Sequence, residues 1–123
     1  MKHLALVFVG GGLGSVLRFL VGHFLNNSPT MFPYGTFLVN VVGSLLIGFI
    51  MGLAFKNNNL SSESVLLFAI GFCGGFTTFA AYAYENHMYL KSGDYMSFAV
   101  YSLSTLVLGF AMVFLGMWLV KWV

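Results

Sequence analysis

Four stretches of this chain are apolar for longer than a bilayer is thick, and that alone removes most of the folds open to a chain of 123 residues. A helix rises about 1.5 Å per residue and the hydrocarbon layer is about 30 Å deep, so roughly 20 apolar residues make one crossing. The stretches run from about Leu4 to Leu25, Tyr34 to Phe55, Val65 to Tyr89 and Met96 to Val120. Charged residues make up only 7% of the chain and the mean hydropathy is +0.93, where soluble domains carry about 25% charge. The expectation is an all-α integral membrane protein, a single four-helix membrane domain over residues 1–123 with nothing left for a soluble domain. Polar connectors separate the stretches: Asn26, Asn27, Pro29 and Pro33, then Lys56 to Ser64, then Lys91 to Asp94. The opening Met1-Lys2-His3 followed by apolar Leu4 to Val9 could pass for a secretory signal. The apolar run continues through glycines to Leu25 without a small-x-small cleavage site, so a retained first helix is expected.

The third stretch is interrupted. Gly71-Phe72-Cys73-Gly74-Gly75-Phe76-Thr77-Thr78-Phe79 places glycine and threonine where a continuous helix disfavours them. An unpaired peptide group costs several kcal/mol in hydrocarbon, so irregular backbone persists only where protein buries it or where it lines a polar cavity. A break in the third helix at midmembrane is predicted, and such breaks serve as ion or substrate sites. Cys73 is the only cysteine, which excludes an intramolecular disulfide; its apolar neighbours make it an inert small residue.

The charges that orient membrane helices are nearly balanced here. Four crossings put Lys2, Lys56, Lys121 and Glu63 on one side, and Lys91 with Asp94 on the other, while Arg18 lies within the first stretch. So weak a bias lets a chain insert both ways round and pair with an inverted copy of itself, an arrangement that transport proteins use. A single orientation with the amino terminus inside is the alternative.

Polar and small residues recur at helical spacing. Gly10, Gly14, Arg18 and Gly22 share one face of the first helix; Thr36, Asn40, Ser44, Gly48 and Gly52 share one face of the second. The glycines suit close helix packing, including the GxxxG pair Gly48 and Gly52. Arg18 and Asn40 are another matter, because a guanidinium or an amide in mid-membrane must face protein or water. Glu85 follows the break, and the fourth stretch aligns Tyr101, Thr105 and Gly109 with Ser104 alongside, either as a polar track or as hydroxyls bonding back to their own helix. Phe79 and Tyr82, three apart, share a face just past the break. Ring edges are positive and can meet an anion without a full charge, although plain core packing would also place two rings together. Trp118 and Trp122 suit the membrane interface, as do His3, His23 and His87 near segment ends. The glycine run at residues 10–14 lacks the spacing and strand context of a nucleotide loop, and no hydrolytic triad or zinc motif is visible. The chain is not expected to be an enzyme or to bind nucleic acid.

Three segments together resemble the Fluc (CrcB-type) bacterial fluoride channels: Gly12-Leu13-Gly14-Ser15-Val16-Leu17-Arg18, Gly35-Thr36-Phe37-Leu38-Val39-Asn40, and Gly71 to Phe79. The resemblance extends over essentially the whole chain. It implies an antiparallel, dual-topology homodimer in the bacterial inner membrane that exports fluoride passively through two pathways, with a structural sodium ion (Na+) at its centre. By that resemblance the backbone carbonyls of Gly74 and Thr77 hold the sodium, Phe79 and Tyr82 form the aromatic box, and Asn40 donates to fluoride. Thr36, Tyr101, Ser104 and Thr105 complete the pathway, Arg18 supports the vestibule or the dimer, and Glu85 belongs to its polar surroundings. The family usually reads Phe-Ser-Thr/Ala-Phe where this chain has Phe79-Ala80-Ala81-Tyr82. The Tyr82 phenol is thus expected to add a donor to the pathway, and Ala80 to remove one and slow permeation. A proton-coupled small multidrug exporter is the alternative; it needs a membrane carboxylate, for which Glu85 is the candidate, whereas the first helix offers Arg18 and no acid.

Overall fold

The computed structural model describes residues 1–26, 32–56 and 60–123, so Asn27 and Pro29 of the first connector and residues 57–59 of the second lie outside the described residues. Those described are helical, with no strand among them, and four of the helices are long and apolar enough to cross a membrane. Helix α1 spans Lys2–Leu25 and α2 spans Tyr34–Phe55. The exit of α1 is fastened to the entry of α2, where the Asn26 side chain accepts the otherwise orphaned Gly35 N–H at 2.8 Å.

The third apolar segment is assembled from pieces. Ser61 caps its start by accepting the Ser64 N–H at 3.1 Å. Helix α3 then comprises Ser62–Ser64, a wider π-type stretch Val65–Cys73, and Gly74–Phe76. Helix α4 follows as Phe79–Ser92 and ends on Gly93, whose φ of 79° is the left-handed cap that glycine adopts without a Cβ clash. Asp94 starts α5, Tyr95–Leu119, by accepting the Ser97 N–H at 3.2 Å. Its hydrogen bonds to Ser97 hold the carboxyl below the ordinary aspartate range. A 3-10 turn, Val120–Trp122, closes the chain.

Two seams organise the bundle, α1 on α3 and α2 on α5. Both join helices that run in the same direction. Lys2 at the start of α1 pairs with Glu63 at the start of α3 at 2.6 Å, and Lys56 after α2 donates to the Val120 carbonyl after α5 at 3.0 Å. The amino terminus, the second connector and the carboxy terminus therefore share one end of the bundle. Hydrocarbon gives apolar side chains no reason to leave lipid for one another, so close backbone approach must hold the seams, and glycine permits it. A Cβ on Gly14 would stand 2.7 Å from the Phe76 nitrogen, and one on Gly116 would stand 2.6 Å from the Phe49 nitrogen. The glycine stripes read from the sequence are thus packing faces, with Gly48 lying against the Val113 backbone. Tyr101, Val39 and Cys73 are the largest fully buried side chains, while Phe8, Phe19, Phe110 and Phe114 face outward as lipid-exposed rings do.

The same helix supplies a matched control, since a Cβ on Gly12 would meet nothing within 4 Å. Gly14→Ala should destabilise the protein by about 1–3 kcal/mol through backbone overlap. Gly12→Ala should be neutral or stabilising by up to about 1 kcal/mol through helix propensity. Thermal unfolding of both variants in the same detergent checks the difference.

Candidate functional site

Between α3 and α4 the chain leaves the helical region for two residues. Thr77 has φ −81°, ψ 158° and Thr78 has φ −150°, ψ 122°, both extended and unstrained. The amide of Thr78, which a continuous helix would direct to Gly74, instead donates to Asn40 Oδ1 at 2.8 Å. Asn40 Nδ2 returns a hydrogen bond to the Thr78 carbonyl at 3.0 Å. One side chain of α2 thereby replaces both the donor and the acceptor that the extended residue lacks. Thr78 also caps α4, its hydroxyl accepting the Ala81 N–H at 3.2 Å. Threonine suits this place because its β-branched side chain tolerates extended backbone and its oxygen can cap.

The neighbouring carbonyl has a partner of another kind. Arg18 Nη1 donates to the Thr77 oxygen at 3.0 Å, which explains how a guanidinium is accommodated in the first apolar segment. Thr77 keeps its own hydroxyl on the Cys73 carbonyl at 2.8 Å, and Ser15 reaches the Gly75 carbonyl at 3.4 Å. Gly74 alone stands exposed, and its carbonyl has lost its helical amide to Asn40.

Past the break, the ring centroids of Phe79 and Tyr82 are 5.8 Å apart, so the three-residue spacing does bring the rings together. The Tyr82 hydroxyl, however, donates to the Ser102 carbonyl of α5 at 3.1 Å. It does not stand free as a donor in the cleft, which corrects the expectation drawn from its sequence position. Tyr101 packs on Tyr82 at 5.3 Å with the planes at 84°, and its hydroxyl donates to Glu85 Oε2 at 3.4 Å. Ser104 bonds back to the Tyr101 carbonyl at 3.2 Å, the self-satisfying fate of a membrane serine. Thr105 differs, since its hydroxyl oxygen is buried and has no hydrogen-bond partner among the described residues.

Two clefts flank the break. The larger, about 630 Å³, is lined at its polar end by Asn40, Ser44, Thr78, Phe79, Tyr82 and Thr105, and no charged side chain borders it. The smaller, about 440 Å³, holds Arg18, His23, Asn26, Thr36, Thr78 and Ala81. Among the residues singled out in the sequence, Asn40, Phe79, Tyr82 and Thr105 thus meet in one cleft, with Gly74 and Thr77 on its wall. Thr36 and Arg18 meet in the other, whereas Tyr101, Ser104 and Glu85 line neither. Ala81, rather than Ala80, faces the Arg18 cleft, and Ala80 is exposed on the subunit surface. Two residues escaped sequence reading. Thr78 was legible only as part of the Gly-Thr run, and Asn86 is a buried amide that bonds back to the Tyr82 carbonyl at 3.1 Å and leaves Oδ1 unpartnered. Its place four residues after Tyr82 in an apolar segment was the available signal.

Replacing Asn40 by leucine strands a backbone donor and a backbone acceptor at once. Each unsatisfied group costs about 1–3 kcal/mol, so Asn40→Leu should lower stability by about 2–6 kcal/mol. Hydrogen exchange at the Thr78 amide should accelerate before exchange within α2 does, as mass spectrometry of the detergent-solubilised variant can show.

Residues 5–117 match the family model described as CrcB-like protein, Camphor Resistance (CrcB). The chain is 47% identical over 122 residues to a protein of Gloeothece citriformis named fluoride-specific ion channel FluC, covering 98% of each chain. A protein of the same name from Phocaeicola vulgatus is 44% identical over 97% of this chain and 98% of its own, and one from Chlorobaculum tepidum is 45% identical over 98% and 96%. This is an ion-channel family rather than an enzyme family, and its relatives align across all four spans seen here. A match that runs from residue 5 to residue 117, with relatives alike over nearly their whole length, makes this multi-pass membrane protein a member of the CrcB family.

Proposed function

We propose that the chain forms a fluoride-selective passive channel, an antiparallel homodimer with two pathways that releases fluoride across the bacterial inner membrane. The observation that carries this reading is the larger cleft, which neutral donors and the Phe79 and Tyr82 rings line without a charge. Thr105 contributes a buried hydroxyl that no protein group satisfies, and Asn40 keeps a second amide N–H beyond the one given to Thr78. A small anion losing its hydration shell needs such donors at close range, and the positive ring edges of Phe79 and Tyr82 complete the enclosure. Phe79 is 76% exposed and Gly74 is exposed beside it, which supports a second copy covering this face. The nearly balanced charges of the connectors support an inverted partner.

The break itself, as the midmembrane site of the third span, suits a structural sodium ion shared by two copies. Its donors are hard carbonyl oxygens: Gly74, freed from its helical amide, and Thr77, which retains one lone pair beside the one that accepts from Arg18. Such an ion would fasten the two copies at their centre. Replacing sodium with N-methylglucamine should then lower the thermal midpoint of the purified dimer by several degrees, while the same exchange leaves the glycine variants above unaffected relative to one another.

A proton-coupled multidrug exporter finds no comparable support. Glu85 accepts from the Tyr101 hydroxyl and borders neither cleft, so it offers no open carboxylate to a drug.

Reconstituted in liposomes, the protein should release fluoride down its gradient, without chloride release and without nucleotide or proton dependence, as read by ion-selective electrodes. Thr105→Val removes the unpartnered hydroxyl while keeping its shape. Losing one donor to a dehydrated anion is worth about 1–3 kcal/mol, so fluoride efflux should fall on the order of tenfold or more. Chloride release at the same rate as fluoride, or none of either from a folded dimer, overturns the channel reading.

A further inference from the structure

The two rings of the aromatic pair are held by different means. Tyr82 is 9% exposed and Phe79 is 76% exposed, although they lie on one helix face and 5.8 Å apart. Tyr82 is fixed from three directions. Its hydroxyl donates to the Ser102 carbonyl at 3.1 Å across the α4–α5 seam. Tyr101, itself 0% exposed, stands nearly perpendicular to the ring at 5.3 Å. Asn86 Nδ2 binds the Tyr82 carbonyl at 3.1 Å and ties down the backbone that carries the ring. Tyr101 is immobilised in turn by Phe32 at 5.2 Å, Tyr89 at 6.2 Å and the Glu85 carboxylate. Phe79 has no polar group and touches only Tyr82 among the aromatic pairs of the described residues.

We propose that the Tyr82 hydroxyl is a tether to α5 and not an anion ligand, so that it acts as a positioning group that fixes the angle of the Tyr82 ring in the cleft wall. A carbonyl oxygen has two lone pairs, so Ser102 can accept from Tyr82 while keeping its place in the α5 ladder. The tether holds the Tyr82 ring in the cleft wall at a set angle, and any effect of the hydroxyl on ion flow passes through that angle. Its functional consequence rests on the channel reading above; the tether itself does not.

Two measurements test it. First, 3-fluorotyrosine and 3-fluorophenylalanine are each placed at position 82 and the dimer is examined by fluorine NMR. The fluorine of 3-fluorotyrosine sits beside the hydroxyl and reports what that hydroxyl bonds to, while 3-fluorophenylalanine gives the response of the same ring without it. The tyrosine lines should not move when sodium fluoride is added. A saturable shift of the tyrosine lines with fluoride overturns the tether, and this titration decides even if the phenylalanine protein does not fold. Second, Tyr82→Phe is compared with wild type for fluoride efflux against fluoride concentration. A positioning role changes the maximal rate by about threefold or more and leaves the half-saturating concentration within about twofold, whereas a lost ligand raises the half-saturating concentration about fivefold or more. The second pattern overturns the proposal. Absence of fluoride efflux from wild type would instead defeat the channel reading, and the NMR comparison would still decide the tether.

Discussion

The exchange of two hydrogen bonds between Asn40 and Thr78 is the interaction on which the rest of this structure depends. An extended residue inside an apolar span exposes a donor and an acceptor to hydrocarbon, at several kcal/mol for each one left bare. Asparagine is among the few side chains that can repay both debts at once, because its amide carries an acceptor and a donor on one planar group. Donation from Thr78 to Asn40 at 2.8 Å and the return bond at 3.0 Å close the gap without any rearrangement of α2, which stays helical throughout. Once the break is stable, other features follow from it. Helix α4 can start afresh from the Thr78 cap, Gly74 is left with a free carbonyl, and the larger cleft opens against Asn40.

The seams hold that arrangement in register. Asn40 meets Thr78 only if α2 and the third segment lie at a fixed height, and Arg18 meets Thr77 only if α1 does so too. The close backbone approaches at Gly14 and Gly116 set those heights sterically, since a groove without a Cβ admits a neighbour at one depth and one place along the helix. Glycine packing and the polar crossing are therefore two parts of one device. The glycines bring backbones near enough for short polar side chains to span the gap, and the polar contacts give the seams a direction that van der Waals packing alone would leave loose.

Much of this was legible in the residues, and the reasons differ from place to place. The spans could be read because the bilayer imposes a length: Tyr34 to Phe55 was expected and is the observed α2, and the other three differ by a few residues at their ends. The glycine stripes could be read because helical periodicity places Gly10 and Gly14, or Gly48 and Gly52, on one face whatever they touch. The π-type stretch Val65–Cys73 carried no comparable signal, since widening a helical turn changes the hydrogen-bond register without demanding a residue type. Side-chain direction was the other hidden quantity. Tyr82 and Thr105 were both placed at the site by spacing, yet one hydroxyl is committed to Ser102 and the other is unpartnered, a distinction set by where α5 lies and not by either residue. Ala80 and Ala81 are adjacent in sequence, and only the start of α4 decides that Ala81 faces Arg18.

The placement of charge argues for a path meant to let go of what it binds. Arg18 is bonded to the Thr77 carbonyl and Glu85 accepts from Tyr101, so the larger cleft is lined by apolar side chains, neutral dipoles and the Phe79 and Tyr82 rings, without a charge. At an effective dielectric constant of about 20, a full charge 4 Å from an anion is worth about 4 kcal/mol. Since every 1.4 kcal/mol is a factor of ten, that attraction would lengthen the stay of an anion about a thousandfold. Neutral donors such as the Thr105 hydroxyl and the Asn40 amide offer about 1–3 kcal/mol each, enough to offset part of the lost hydration and small enough to be surrendered at the next step. Arg18, held at the Thr77 carbonyl, borders the other cleft and is no ligand in this one. The chemistry of the break and of the cleft thus point the same way: Asn40 is present first because the backbone needs it, and its spare N–H is the donor that the proposed channel would offer an anion.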